Sequence, residues 1–420
     1  MLRLPMKNGF GSATAVALIA LIAPPSVAQP AQAPSGKPAT PGAPPAAAPP
    51  AATPDQSAPN QPVPAPQQAE PAIPAPSATA PPAEGQPPPS EAPPATVGKG
   101  PKAEQVEPKA IENAAFQPNV PLADQPAFLV KLEVFLDRAH NSPGAIDGRP
   151  GKNLDHALGI YAHEHGLQPG LNPAVVAALE KGEGGAVTQS YTITEKDEVG
   201  PFIGHLPSDF YEQSKLRHMG YTTPEEELAE RFHMSQRLLE AMNPGADFAK
   251  AGTQITVVKP HSGGLGAQVM KIDVDKTDDE VMAYGADGRL IASFPSTIGS
   301  ADHPAPSGTY TVAEIRPDPV YIYDPRVLTW GPRRHGRFTI KRGPNNPTGV
   351  IWIGLSKPAY GIHGTPNAEL IGKTASHGCV RLTNWDAWDL GNAVKPGAEV
   401  AFLGQGPQKT ASRDNAPPKS

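Results

Sequence analysis

The sequence predicts a multidomain chain. A disordered Pro/Ala-rich linker, a small α-helical bundle and an α+β segment precede a C-terminal part that is mainly β, a sandwich or barrel. Three observations carry this. Of the 55 prolines, 28 lie between Pro30 and Pro126. Apolar residues then recur at helical spacing as far as Met242. From Gly266 to Gly404 they come in short alternating runs broken by Gly/Pro turns, the pattern of stacked or closed sheets.

The first element, residues 1–28, reads as a secretory signal. Arg3 and Lys7 precede a short apolar run, Ser12 to Ala23, and Val27-Ala28 closes it in a small-residue context. The run is shorter than the ~20 residues a spanning helix needs. An uncleaved N-terminal anchor is the alternative. No cysteine follows the run, which excludes a lipid-anchored lipoprotein, and no stable membrane insertion is expected after signal cleavage. Residues 29–121 are the linker: Ala and Pro bury too little apolar surface to offset the entropy of ordering them.

Residues 122–182 read as three helices. "AFLVKLEVFLDRAH" places Leu129, Leu132, Val134, Phe135 and Leu136 near one face. "NLDHALGIYAHEHGL" follows, with Asn153 as its cap, and "NPAVVAALEK" carries Pro173 in its first turn. His140, His156, His163 and His165 invite a metal, but His163-x-His165 lacks the i, i+4 spacing that puts two ligands on one face. Solvated histidines are the simpler reading. Helix, "IDG" turn, helix and short helix resemble the peptidoglycan-binding-domain-1 family; a generic three-helix bundle has the same pattern.

Residues 187–260 open with the strand "SYTIT" and close with "AGTQITVV". Between them Pro224 and the acids Glu225 to Glu227 start a helix pair, with Leu228, Phe232, Leu238, Leu239 and Met242 on its apolar face. The order resembles a LysM module. The insert "EKDEVGPFIGHLPSDFYEQSKLRHMGY" departs from that family's short first turn, which leaves open whether the segment binds glycan or only keeps the shape.

In residues 266–404, "QVMKIDVDK" and "EVMAYGADGRLIASFPSTIG" read as strands, the latter a hairpin around Asp287-Gly288. "APSGTYTVAEI", "RFTIKR", "GVIWIGL", "AYGIHG" and "AEVAFLG" continue the pattern, and "NWDAWDLGNAV" is a short helix capped by Thr383 or Asn384. The four tryptophans read as core or cleft wall. Residues 405–420 are a disordered tail. The formal net charge is −6 with both signs mixed, so nothing points to nucleic acid.

Chemistry concentrates in "GIHGTPNAELIGKTASHGCVRLTN". Cys379 is the only cysteine, and an unpaired thiol in an exported chain reads as reactive. With a free pKa of about 8.5, only a small fraction is thiolate at neutral pH, so it needs a base. His363 stands 16 positions before it, and His377 two. Gly364 and Gly378 remove side chains where a substrate and a backbone donor must approach. A zinc site from His363, His377 and Cys379, or an inert buried thiol, are the competing readings.

A histidine, a spacer and Ser/Thr-His-Gly-Cys resemble the signature of the L,D-transpeptidase (YkuD-type) family. "APSGTYTV" and "GPNNPTG" resemble that family's strand and loop motifs in the expected order. The resemblance implies Cys379 as nucleophile, His363 as general base, and the Gly364 carbonyl as the group that orients the imidazole. It implies an oxyanion hole from backbone donors around His377, Gly378 and Cys379, with Ser376 and His377 shaping the loop. Ser376 and Arg381 are the substrate-binding candidates, Arg381 through its two-pronged donor. No cofactor or metal is implied. The implied partners are peptidoglycan stem peptides and glycan, or an envelope lipoprotein as acyl acceptor; water would make a carboxypeptidase. A noncatalytic wall-binding protein is the reading of a different class.

Overall fold

The computed structural model describes residues 106–328 and 333–406. The segment read as an export signal, nearly all of the span read as linker, Trp330 and residues 407–420 lie outside them. Among the described residues no helix is long and apolar enough to cross a membrane.

The described residues begin inside the span read as linker, and they include a helix. Helix α1 (Pro108–Asn113) buries Ile111 completely, and its Glu112 carboxylate accepts the amides of Val187 and Thr188 at 3.1 and 2.7 Å. Composition misses this because the partners lie some 75 residues away. Helices α2 (Pro126–Arg138), α3 (Lys152–Glu164) and α4 (Pro173–Glu183) follow. Asn172 caps α4 by accepting the amides of Ala174 and Val175. Asn153, expected to cap α3, instead sits inside it, where Gly151 holds the cap position. Its Nδ2 donates to the carbonyl of Ile371 at 3.0 Å, so a tertiary contact has replaced the local one.

Strand β1 (Thr188–Thr192) pairs antiparallel with β2 (Gln254–Val258). Between them run α5 (Glu195–Val199), α6 (Phe210–Ser214), α7 (Pro224–Arg231) and α8 (Gln236–Met242). The two segments read as separate modules share one core: Leu129, Leu132, Leu136 and Leu179 pack in the same cluster as Leu228, Leu239, Ile255 and Val257. A segment of about sixty residues is only marginally stable on its own small core, and sharing one core stabilises both.

The C-terminal part is a nine-stranded sheet of β3 (Val269–Asp275), β4 (Glu280–Tyr284), β5 (Leu290–Pro295), β6 (Thr297–Ile298), β7 (Gly308–Pro317), β10 (Ile351–Leu355), β11 (Gly361–His363), β12 (Val380–Arg381) and β13 (Val394–Leu403). Its order is β5-β4-β3-β13-β7-β10-β11-β12-β6. The two outermost strands are consecutive in the chain, joined through Ser296, so the sheet curls back on itself in a barrel-like form. Ile272, Val274, Ile353, Ile362, Val380 and Val400 fill its interior, and helix α9 (Asn384–Ala393) covers it with Ala387 and Leu390. A hairpin of β8 (Tyr321–Tyr323) and β9 (Phe338–Ile340) stands apart from this sheet.

The insert between β1 and α7 packs on that hairpin. Leu206 and Met219 meet Ile340, with Phe210 and Phe338 beside them. At the other end of the junction, Asp137 at the foot of α2 accepts three hydrogen bonds from two histidines. His233 Nδ1 donates to its Oδ1 at 2.8 Å, and the His261 amide and Nδ1 donate to its Oδ2 at 2.7 and 3.0 Å. His261 Nε2 donates to Asp389 of α9 at 2.5 Å, and Trp385 of α9 stacks on His233 at 4.9 Å.

Candidate active site

Strands β10, β11, β12 and β6 place one row of residues side by side: Trp352 opposite His363, His363 beside Arg381, Arg381 opposite Thr297. Paired residues share a face, and the alternate residues Ile353, Ile362 and Val380 point into the core. The indole of Trp352 stacks on the His363 ring, centroids 5.6 Å apart, so this tryptophan is a wall of the site. A Cβ on Gly354 or Gly361 would strike that indole at 2.8 or 2.6 Å, so both positions must stay bare.

Cys379 lies on the bend just before β12. Val380 pairs with Ile362, so the cysteine comes beside Gly361, two residue pairs along from His363 and Arg381 and on the same face. The thiol is half-buried, 3.8 Å from the carbonyl oxygen of Ala359. Burial pushes its pKa up, against a hydrogen bond to the backbone of Gly361 and the charge of Arg381. His363 is buried, and burial together with the Arg381 charge lowers its pKa to about 3. Its Nδ1 lies 2.7 Å from the carbonyl oxygen of Gly364. A carbonyl only accepts, so Nδ1 carries the proton and Nε2 is left as the acceptor. At rest the pair is therefore a neutral thiol and a neutral imidazole.

The loop before Cys379 is held by Ser376. Its side chain is 2 % exposed. The hydroxyl donates to the Cys379 carbonyl at 2.6 Å and accepts the amides of Gly299 at 2.6 Å and Gly378 at 3.2 Å. Two expectations change. Ser376 is engaged with backbone and does not face a substrate. The Gly378 amide points at Ser376, which removes it from the oxyanion donors. Gly378 itself sits at φ +111°, where a side chain is strained, and a Cβ there would meet Tyr360 at 3.2 Å. Residues 377 to 379 lie on the bend. The His377 ring packs against His303 at 5.1 Å, a neighbour that sequence spacing did not suggest.

Behind His363 the packing is tight. Thr383 caps α9 by accepting the Asp386 amide at 3.1 Å. Asn384, the other cap candidate, is buried and holds the back of the site. Its Oδ1 accepts the Val350 amide at 3.2 Å, and its Nδ2 donates to both carboxylate oxygens of Glu230 at 3.1 Å and to the Pro344 carbonyl at 3.2 Å. A Cβ on Gly364 would lie 2.2 Å from Asn384 Oδ1, and one on Gly349 at 2.1 Å. Burial raises Glu230 to about 7, against hydrogen bonds from Tyr221 and Asn384.

Among the described residues, the group of His, Cys, Asp or Glu side chains whose ligand atoms all lie within 4.8 Å of one another is Asp137, His233 and His261. His363, His377 and Cys379 do not form such a group. The Asp137 contacts are hydrogen bonds; a tetrahedral ion with ligands at about 2.1 Å would hold them about 3.4 Å apart. Of the histidines read as solvated, His163 and His165 are exposed, His165 also stacking on Tyr161 at 4.0 Å, whereas His140 packs edge-on against His261.

The profile of the YkuD family, the L,D-transpeptidase catalytic domain, matches residues 270–401. The matched segment is thus a transpeptidase domain by class. The chain is 26% identical over 177 residues to the protein named L,D-transpeptidase YkuD of Bacillus licheniformis, covering 42% of this chain and 92% of that one. It is 31% identical over 202 residues to the one named L,D-transpeptidase ErfK/SrfK of Escherichia coli, covering 46% and 64%. With the L,D-transpeptidase of the ATP synthase subunits region of Fuscovulum blasticum it shares 30% over 161 residues, covering 36% and 78%. The solved L,D-transpeptidase of Mycobacterium smegmatis aligns with 36% of this chain and 63% of its own at TM-score 0.27 and 20% identity. The chain belongs to the L,D-transpeptidase family.

Proposed function

We propose that the chain is an exported, cysteine-dependent transpeptidase acting on the tetrapeptide stems of peptidoglycan. The observation that carries this is the pairing of β11 with β12. It brings Cys379, on the bend just before β12, two residue pairs along from His363 of β11, with the His363 Nδ1 proton tied to Gly364 and Nε2 left to accept. The thiol proton passes to His363 Nε2 as Sγ bonds the carbonyl carbon of the third stem residue. The peptide bond to the terminal D-alanine breaks, and the imidazolium protonates the leaving amine. An amine of a neighbouring stem then attacks the thioester, gives its proton to His363, and releases Cys379 as thiolate, which is reprotonated. The amide of Cys379 and that of His377 are the oxyanion donors in this reading, and Arg381, beside His363, holds a substrate carboxylate.

In the same reading the N-terminal helices and the β1–β2 segment are wall-binding parts, carried beyond the membrane by the signal and linker. Incubating the purified chain with disaccharide-tetrapeptides and reading product masses tests it. Loss of D-alanine with a cross-linked dimer is expected. Loss of D-alanine alone assigns water as the acceptor, transfer to an added lipoprotein amine assigns an anchoring enzyme, and unchanged substrate returns the noncatalytic reading.

A further inference from the structure

The middle segment touches the site from behind. We propose that Glu230, near the end of α7, is a positioning residue for His363, so that the segment preceding the β domain completes the catalytic site. This rests on the reading of His363 as the base.

The connection is short and made of named contacts. Glu230 accepts the Tyr221 hydroxyl at 2.9 Å and both of its carboxylate oxygens receive Asn384 Nδ2. Together with the Pro344 carbonyl, which only accepts, that fixes which way the Asn384 amide faces, because the amide nitrogen only donates. Oδ1 is thereby turned toward the Val350 amide and the bare α-carbons of Gly349 and Gly364. The Gly364 carbonyl in turn receives His363 Nδ1, and this selects the tautomer with Nε2 unprotonated. A flipped or shifted Asn384 would put an N–H where Val350 also donates, and Gly364 has no free volume in which to move independently.

The insert supports the same wall. The Met219 amide donates to the Arg342 carbonyl at 2.8 Å, the Asn345 amide to the Met219 carbonyl at 2.9 Å, and Asn345 Nδ2 to the Gly220 carbonyl at 3.0 Å. Gly343 lies so close that a Cβ there would stand 2.2 Å from the Met219 carbonyl oxygen. These contacts seat the loop that carries Pro344 and Gly349 against Asn384. The departure from the short first turn of a LysM module thus has a use: the extra residues build the back of the site.

The test uses the full chain with Glu230→Ala, Glu230→Gln and Asn384→Ala, each at a temperature where circular dichroism shows it folded. Glu230→Ala and Asn384→Ala are expected to lower kcat about tenfold to hundredfold, with KM little changed, because geometry and not binding is lost. Iodoacetamide alkylation of Cys379 should slow at neutral pH and its profile move to higher pH. Glu230→Gln keeps one acceptor oxygen, so its loss should be smaller and in the same direction. If Glu230→Ala does not fold, Glu230→Gln decides. A folded variant with unchanged kcat and an unchanged alkylation profile, whatever its melting temperature, overturns the proposal. Cys379→Ala separates the two readings: turnover retained there overturns the cysteine mechanism itself. If the wild type shows no turnover, the alkylation profile still reads Glu230.

Discussion

At the scale of single residues, the site is a thiol that burial keeps protonated beside an imidazole that burial keeps neutral. Cys379→Ala should abolish turnover and leave the fold intact. A carbapenem should acylate Cys379, seen as one adduct by intact mass and absent from that variant. His363→Ala should cost about 10²–10⁴-fold in rate, the worth of a general base, and His377→Ala far less. The reverse order would move the base to His377. The pH dependence follows from the same burial. A lowered histidine pKa means the unfolded chain binds a proton that the folded chain refuses, so this contribution to stability is present above pH 6.5 and is lost as pH falls from 6.5 toward about 3. Activity should therefore show no histidine-type acid limb near 6.5 arising from His363. Alkylation of Cys379 by iodoacetamide should rise past the ordinary thiol range, because the thiol pKa is raised.

At the scale of elements, register does the assembling. The parallel pairing of β11 with β12 is two residue pairs long, yet it sets His363 beside Arg381 and Cys379 beside Gly361. Glycines keep neighbouring elements in contact: Gly364 meets the start of α9 with no space for a methyl group. Gly364→Ala should therefore displace Asn384, destabilise the domain by about 1–3 kcal/mol, and lower kcat more than the shift in melting temperature suggests. Thr383→Ala, which removes only the α9 cap, should cost about 1 kcal/mol in chemical denaturation. Comparing the two separates damage to the helix from damage to the site.

At the scale of the whole described molecule, the N-terminal core and the β domain are held by charge as well as by packing. His261 lies between Asp137 and Asp389; burial opposes its charge, but the two carboxylates push its pKa up to about 10. The folded chain thus keeps a proton that the unfolded chain releases above pH 6.5. The stabilisation is whole below 6.5 and is lost as pH rises through about 10. Melting temperature measured across that window should fall in the wild type and fall less in His261→Gln. Asp137→Ala removes one of the two carboxylates that hold the His261 charge and leaves the His233 and His261 donors without an acceptor, and should cost about 1–3 kcal/mol. A loss under 1 kcal/mol would show that the junction does not depend on this cluster.

The sequence by itself determined most of the elements and the family. Alternation in "GVIWIGL" and "AYGIHG" gave the strands, and Leu228, Leu238 and Leu239 gave the helix pair, because local periodicity decides which face is buried. A single thiol with a histidine at the spacing of a known signature singled out the pair proposed to react. The tertiary structure alone decided what surrounds that pair. Glu230 and Asn384 meet across 154 residues. Asp137 and His261 meet across 124, and Ser376 reaches back 77 to Gly299. Such contacts carry no period and no neighbouring signal; they exist only after the sheet has closed and the N-terminal segments have docked. For the same reason Asn153 and Asn384 read as helix caps in the sequence, yet their amides serve partners more than thirty residues away.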